Sequence, residues 1–491
     1  MSDTTNKSTR RDFVKTISGV LGGISLLGHG TARGLALGFM PNSYTFYRVL
    51  AANEGGTFGA LGTITGSVMM ASPLSGTGIG YVYVHGTVNP SGSPAVFAVV
   101  IDFTPTPPVV VRVMPIAIEG GPLSAGGNDI TVGHIGTGSS NARGEYVTTI
   151  SPAEPSATIA VDNSPGIYLF RPGSDVGQWS RIIGFADPVG DGSFYGADFG
   201  DLALDDDENL LLAAATTQSP AATVSGFSGS QALIATSLGA TASGRVVLQT
   251  GDMLPFGSAA IESVGLIDLA AKNAFAAQVT AKLLDPTVTR SGTALVVGDT
   301  QAARAEQRLV AASPELISPQ DASNRNITSG QTFFGPRVDP FQDVAFVTHV
   351  STFSQSIGSN ENEILGYYSN GSPHQLLQTQ AFASGDAVVG LGAPCIDSAG
   401  LMYGTVLLGD GTTRLFISDG ESREELLRGG KLIGGRAPSG ERAISEILFG
   451  QHSTQVDAFG RLAFTAEFLL DPKKPEDPKN VITALVIGIP G

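Results

Sequence analysis

Asp457-Ala-Phe-Gly460-Arg-Leu-Ala463-Phe464 is the clearest copy of a pattern that returns seven times along this chain, at intervals of about 60 to 70 residues. An Asx residue opens a turn, a glycine follows three places on, and an apolar strand ends near Ala-Phe. The opening position holds Thr77, Asn141, Asp205, Asp268, Asp339, Asp397 and Asp457. Three places later stand Gly80, Gly144, Glu208, Ala271, Gln342, Gly400 and Gly460. The Ala-Phe ending is complete at Ala274-Phe275, Ala345-Phe346 and Ala463-Phe464. Glycine supplies positive φ, and Asp or Asn bonds its own backbone nearby, so each copy reads as a turn feeding a strand.

Three further elements recur in step with the first. One is a short apolar strand: Val49-Leu50, Val113-Met114, Ile182-Ile183, Val247-Leu248, Leu309-Val310, Leu376-Leu377 and Leu426-Leu427. Another is a Gly-x-Thr-Phe-like start at Gly56–Phe58, Gly192–Phe194 and Thr332-Phe333. The last is a strand such as Ile167–Phe170, Ala294–Val297 or Leu415–Ser418. Each unit thus holds about four short strands, and seven such units predict an all-β fold, a β-propeller with seven four-stranded blades. A parallel β-helix needs much shorter coils, and immunoglobulin-like sandwiches need roughly 100 residues per unit. Glu441–Phe449 is the best short helix candidate, though it also reads as a strand. The last unit ends on Ile482–Gly488 without an apolar partner downstream, while Thr45–Ala51 is a strand of that kind at the front. Their pairing would close the ring and remove an exposed edge.

The chain has 491 residues and a formal net charge of −16. Its 28 basic residues form no stripe, so duplex phosphate would be repelled and nucleic acid is not an expected partner. The single cysteine, Cys395, permits no internal disulfide and reads as a buried thiol. Ser8-Thr-Arg10-Arg11-Asp-Phe13-Val-Lys15 resembles the twin-arginine export signal, carried by Arg10, Arg11, Phe13 and Lys15. The apolar stretch from Thr16 to Leu27 would span about 18 Å as a helix, short of the roughly 30 Å bilayer core. It reads as a signal segment over residues 1–36, cleaved after Ala32 or Ala36, ahead of a propeller over 45–488. The mature chain is expected to be soluble, without a stable membrane span, and periplasmic or extracellular.

Chemistry-bearing motifs are sparse. Asp187-Pro-Val-Gly-Asp191-Gly192-Ser-Phe-Tyr-Gly-Ala-Asp198 places Asp and Gly at several positions of a calcium loop, but Val189 and Tyr195 stand where two ligands belong. Calcium held by Asp187, Asp191, Asp198 and Asp201 is the one cofactor expectation, set against solvated repeat turns. The turn carboxylates from Asp205 to Asp457 could ring the axis, yet Asx capping explains them. His85, His134, His349, His374 and His452 have no zinc spacing. His85 and His349 occupy matching places, which suggests a shared structural role. No Gly-x-Ser-x-Gly elbow, Walker loop or dinucleotide fingerprint is present.

The turn-strand pattern resembles the tandem-repeat family of exported bacterial proteins described by Asn-x-x-Gly-x-x-Ala-Phe. The resemblance covers most of residues 45–488. Asp replaces Asn in five copies, glycine is lost in three, and three keep Ala-Phe. It implies architecture and location; with no established activity in that family, it transfers no catalytic residues. The function expected from the sequence is a binding or scaffold module for a protein or glycan partner. The alternative is an extracytoplasmic hydrolase or lyase with a carboxylate or metal site at the axis.

Overall fold

In a computed structural model, Asp457 does what its sequence predicts. Its N–H donates to the Arg461 carbonyl at 3.0 Å and its carbonyl accepts Gly460 N–H at 2.9 Å. One carboxylate oxygen accepts the N–H groups of Phe459 and Arg461, both at 2.9 Å. The same bonds recur at Asn141, Asp205, Asp339 and Asp397. The residue three places on is left-handed in each: Gly144, Glu208, Gln342, Gly400 and Gly460. A non-glycine residue there costs about 1–2 kcal/mol. The two exceptions use their side chains: Glu208 pairs with Arg143 of the preceding blade, and Gln342 with Arg308 of the preceding blade.

Two copies are set differently from the expectation. In the fourth, Ala270 N–H donates to the Ala274 carbonyl, and Lys272 and Asn273 are the left-handed residues. Asp268 therefore lies two residues ahead of its turn and does not cap it; Ala271 is not the left-handed residue. In the first, Gly80 lies inside the strand Ile79–Val88 and Gly78 carries the positive φ. Thr77 lies outside the described residues. Those are 41 and 43–491, except 53–60, 72–77, 154–163, 174–176, 220–229, 239–243, 285–289, 303–305, 317–327, 330–331, 355–357, 370–371, 380–384, 421, 431, 436–441, 448–453, 458 and 470–480. The expected export signal and both expected cleavage positions also lie outside them.

The strands group into seven sheets. Blade 1 is Leu61–Ala71, Ile79–Val88, Pro94–Asp102 and Val109–Ile118. Blade 2 runs from Asn128–Ser140 through Tyr146–Pro152 and Gly166–Arg171 to Gln178–Gly184, and the short strand Pro122–Ala125 meets Trp179 to close it. Blade 3 is Phe194–Leu204, Asn209–Thr217, Ser230–Ser237 and Arg245–Gln249. Blade 4 begins with Ala259–Leu269 and blade 5 with Thr332–Val338. Blade 6 begins with Val388–Leu391 and Cys395–Ile396, and blade 7 holds Thr454–Val456, Leu462–Leu469 and Val481–Pro490. Arg442–Ile447, inside the helix candidate, is a strand paired with Leu462–Leu469. The innermost strands touch in cyclic order, blade 7 returning to blade 1.

The closing pair also forms. Tyr44–Ala51 runs antiparallel to Val481–Pro490, with Thr45 opposite Ile489 and Ala51 opposite Ala484. The first described strand is therefore the outer strand beside the last one, which leaves Val481–Pro490 paired on both sides. Tyr44 reinforces the seam, donating to the Gly460 carbonyl at 2.7 Å and meeting the Tyr403 hydroxyl of blade 6 at 3.2 Å.

The core lies between neighbouring blades. Phe275, Phe346 and Phe464, the ends of the complete repeats, are fully buried. Each contributes about 1.5–3 kcal/mol of burial. Between blades 1 and 2, Tyr83 stacks on Tyr146 with centroids 4.7 Å apart, and Trp179 closes the cluster by donating to the Ile116 carbonyl at 2.8 Å.

Candidate functional site

Because every innermost strand ends at the repeat turn, those ends converge. They surround an axial cavity of about 210 Å³ to which all seven blades contribute, from Met69 in blade 1 through Asn141, Asp205, Asp268, Arg337 and Asp397 to Asp457 in blade 7. The repeat therefore brings together residues up to several hundred positions apart.

Most of this charge is already engaged. Asp268 accepts Val338 N–H at 2.8 Å and an Arg337 Nη1–H at 3.0 Å, tying blade 4 to blade 5. Burial raises its pKa despite that cation. Asp205 and Asp397 are also raised by burial, opposed by the backbone and side-chain donors of their own turns. The second oxygen of Asp205 accepts the Asn209 amide at 2.8 Å, and that of Asp397 meets the Tyr403 hydroxyl at 3.3 Å. Asp457 spends its second oxygen on Arg461, whose guanidinium lies 4.0 Å from the Phe103 ring centroid of blade 1. Cys395 is buried, and burial pushes its thiol up to about 12. A thiol that is protonated near neutral pH is no nucleophile.

A second cavity, about 390 Å³, opens between the inner strands of blades 2 and 3. His134, Thr137, Thr149, Ser151, Asp198 and Asp201 line it, with Phe199 and Leu266. Glu119 holds His134 through Nδ1 at 2.9 Å and accepts Ile135 N–H at 3.0 Å. Asp201 accepts Thr137 Oγ1–H at 3.2 Å and Ile267 N–H at 3.0 Å, bridging blades 2, 3 and 4. Burial raises the Asp201 pKa, although the cavity still reaches the residue. No sequence motif marks this group; its members meet only because innermost strands of successive blades are neighbours.

The residues expected to hold calcium are divided. Asp187 accepts Gly184 N–H at 2.6 Å, and Asp191 accepts Ser193 N–H at 2.9 Å and its hydroxyl at 2.5 Å, so both cap turns ahead of blade 3. Asp198 and Asp201 lie on its innermost strand and face the second cavity. Among the described residues no group of three or more His, Cys, Asp or Glu is placed to hold a metal ion. His85 and His349 have different partners. His85 meets the Tyr146 hydroxyl at 3.1 Å, and burial lowers its pKa to about 4. His349 meets Glu363 at 3.1 Å and packs against Phe334. His374 is exposed, and His452 lies outside the described residues. No helix among the described residues is long and apolar enough to cross a membrane.

Cyclic order of the inner strands and a blade made from both ends of the chain define a closed β-propeller. Among solved structures the chain is similar to polysaccharide lyase Uly1, with 10% identity over 91% of this chain and 99% of that one and a TM-score of 0.43. It is also similar to the β-propeller domain of the Trilobed protease from Pyrococcus furiosus, with 10% identity over 82% and 91% and a TM-score of 0.41. The N-terminal domain of Nup159 gives 9% identity over 92% and 97% with a TM-score of 0.32. No protein-family model and no curated protein matches the sequence.

Proposed function

We propose that this protein is an exported, soluble propeller that acts as a binding or scaffold module for a protein or glycan partner. The observation that carries this reading is the state of the axial carboxylates. Asp205, Asp397 and Asp457 each commit one oxygen to two backbone N–H groups of their own turn, and Asp268 is committed to blade 5. Carboxylates held this way stiffen a ring and present a shaped polar surface. A general acid or nucleophile instead needs an oxygen free to reach the reacting atom.

The second reading is an extracytoplasmic hydrolase or lyase with a carboxylate or metal site at the axis. Raised pKa values at Asp205, Asp268 and Asp397 favour it, because perturbed carboxylates cluster at catalytic centres. Burial is the leading cause of each shift, and a structural turn buried at an axis produces it equally well. Incubation with a panel of neutral and uronic polysaccharides and of peptides separates the two. Binding without product is the expected result. New reducing ends, unsaturated ends or new amines, abolished by Asp268→Asn, would establish the catalytic reading instead.

A further inference from the structure

The geometry points to the cavity between blades 2 and 3 as a binding site for a neutral sugar ring, contacted by His134, Thr149, Ser151, Asp198 and Asp201. This inference rests on the binding-module reading and gives that module a place and a ligand class.

Size separates the two cavities. Small-molecule sites occupy about 300–1,000 Å³. The axial cavity, at about 210 Å³, falls below that range, while the inter-blade cavity, at about 390 Å³, falls within it. The larger cavity thus has room for a ring or a short oligosaccharide end.

The wall chemistry selects the ligand. Ser151 stands directly opposite His134 across the Asn128–Ser140 and Tyr146–Pro152 pairing. Directly paired residues point to the same sheet face, with Cβ atoms about 4.5–5.5 Å apart. With Nδ1 bound to Glu119, His134 has Nε2 for a ligand. Thr149 is uncovered by the glycine opposite: a Cβ at Gly136 would lie 1.9 Å from the Thr149 hydroxyl. Hydroxyls and an imidazole donate and accept, whereas Asp198 and Asp201, when ionised, only accept. A polyol has the matching mixture, donating its hydroxyls to the carboxylates and accepting from Ser, Thr or His. Two carboxylates in one wall disfavour anions, which excludes uronates and phosphorylated sugars. Phe199 and Leu266 supply apolar surface for the carbon face of a ring.

The test is calorimetric titration of the purified protein with cellobiose, mannobiose and diacetylchitobiose, with digalacturonate as the anionic control. The wild type is expected to bind at least one neutral disaccharide and not the uronate. His134→Ala, Asp198→Asn and Gly136→Ala should each weaken that binding tenfold or more. His134 and Asp198 are exposed, so the first two variants are expected to keep the wild-type melting temperature. Equal binding by wild type and all three variants would overturn this site while leaving glycan binding by the propeller intact. No saccharide binding up to about 10 mM, tenfold weaker than a millimolar Kd, would overturn the inference and remove the glycan arm of the proposed function. Tighter binding of digalacturonate than of any neutral sugar would overturn the ligand class.

Discussion

Asp457 carries more of the fold than its exposed neighbours suggest. It caps its turn, holds the Arg461 guanidinium, and through Arg461 reaches Phe103 across the boundary between blades 7 and 1. Asp457→Ala removes an Asx cap and leaves a nearly buried guanidinium without its carboxylate. Breaking a buried pair costs about 3–5 kcal/mol, so urea melts should show a loss of that order. Asp457→Asn keeps an oxygen for the two N–H groups and should lose less; equal losses would show that the charge, not the turn cap, dominates. His85 gives a pH test. Its folded pKa, about 4, is depressed by burial below the usual 6.5. The unfolded chain therefore binds the proton first as the pH falls, and stability is lost between about 6.5 and 4. A shift of that size corresponds to roughly 3 kcal/mol. His85→Gln can keep a hydrogen bond to Tyr146 without titrating, so its stability should fall less than wild type over that window. Parallel slopes in urea melts at pH 7 and 4.5 would assign the acid sensitivity elsewhere.

At the scale of strands, the sequence was legible wherever local chemistry repeats. All seven apolar pairs, from Val49-Leu50 to Leu426-Leu427, lie in outer strands of their blades. Ile167–Phe170, Ala294–Val297 and Leu415–Ser418 are third strands. The seam was legible too, because Ile482–Gly488 lacked a partner and Thr45–Ala51 had the right composition. The fourth turn was misplaced because Asp268 is the nearest Asx residue ahead of the strand, whereas the turn itself uses Ala270, Lys272 and Asn273. There the left-handed residues are held by the hairpin and no Asx cap announces them. The inter-blade cavity was illegible for a different reason. His134, Asp198 and Asp201 are placed by strand neighbours in successive blades, and sequence spacing does not say which side of a strand faces the axis. The seam itself predicts a sharp deletion boundary. A chain starting at Ser43 retains Tyr44–Ala51 and should melt as the wild type does. A chain starting at Asn53 exposes one edge of Val481–Pro490 and loses the Tyr44 bonds to Gly460 and Tyr403. It should lose its cooperative melt or aggregate. A normal melt for the shorter chain would mean that blade 7 closes without its first strand.

For the molecule as a whole, closure bears on the export route that Arg10-Arg11 would specify. Tyr44 pairs with Pro490, nearly the full length of the described chain away, so the ring cannot close until the last strand is made. Closing so long a loop carries an entropic cost before its contacts reward it. A route that threads an unfolded chain would meet this protein before its first strand has a partner. A route that carries folded proteins would meet the finished ring. The lone thiol is consistent with folding in a reducing compartment, since no disulfide has to form. The pair Arg10-Arg11 is accordingly expected to direct export of the closed propeller. Replacing both with lysine keeps the positive charge but removes the twin-arginine pattern. The precursor should then accumulate inside the cell as a folded, protease-resistant species, measured by fractionation and limited proteolysis. A chain ending before Val481 but retaining both arginines should also stay inside, because its ring cannot close. Export of the lysine variant at the wild-type level would reject the twin-arginine reading. Export of the truncated chain alone would separate the signal from any requirement for a closed ring.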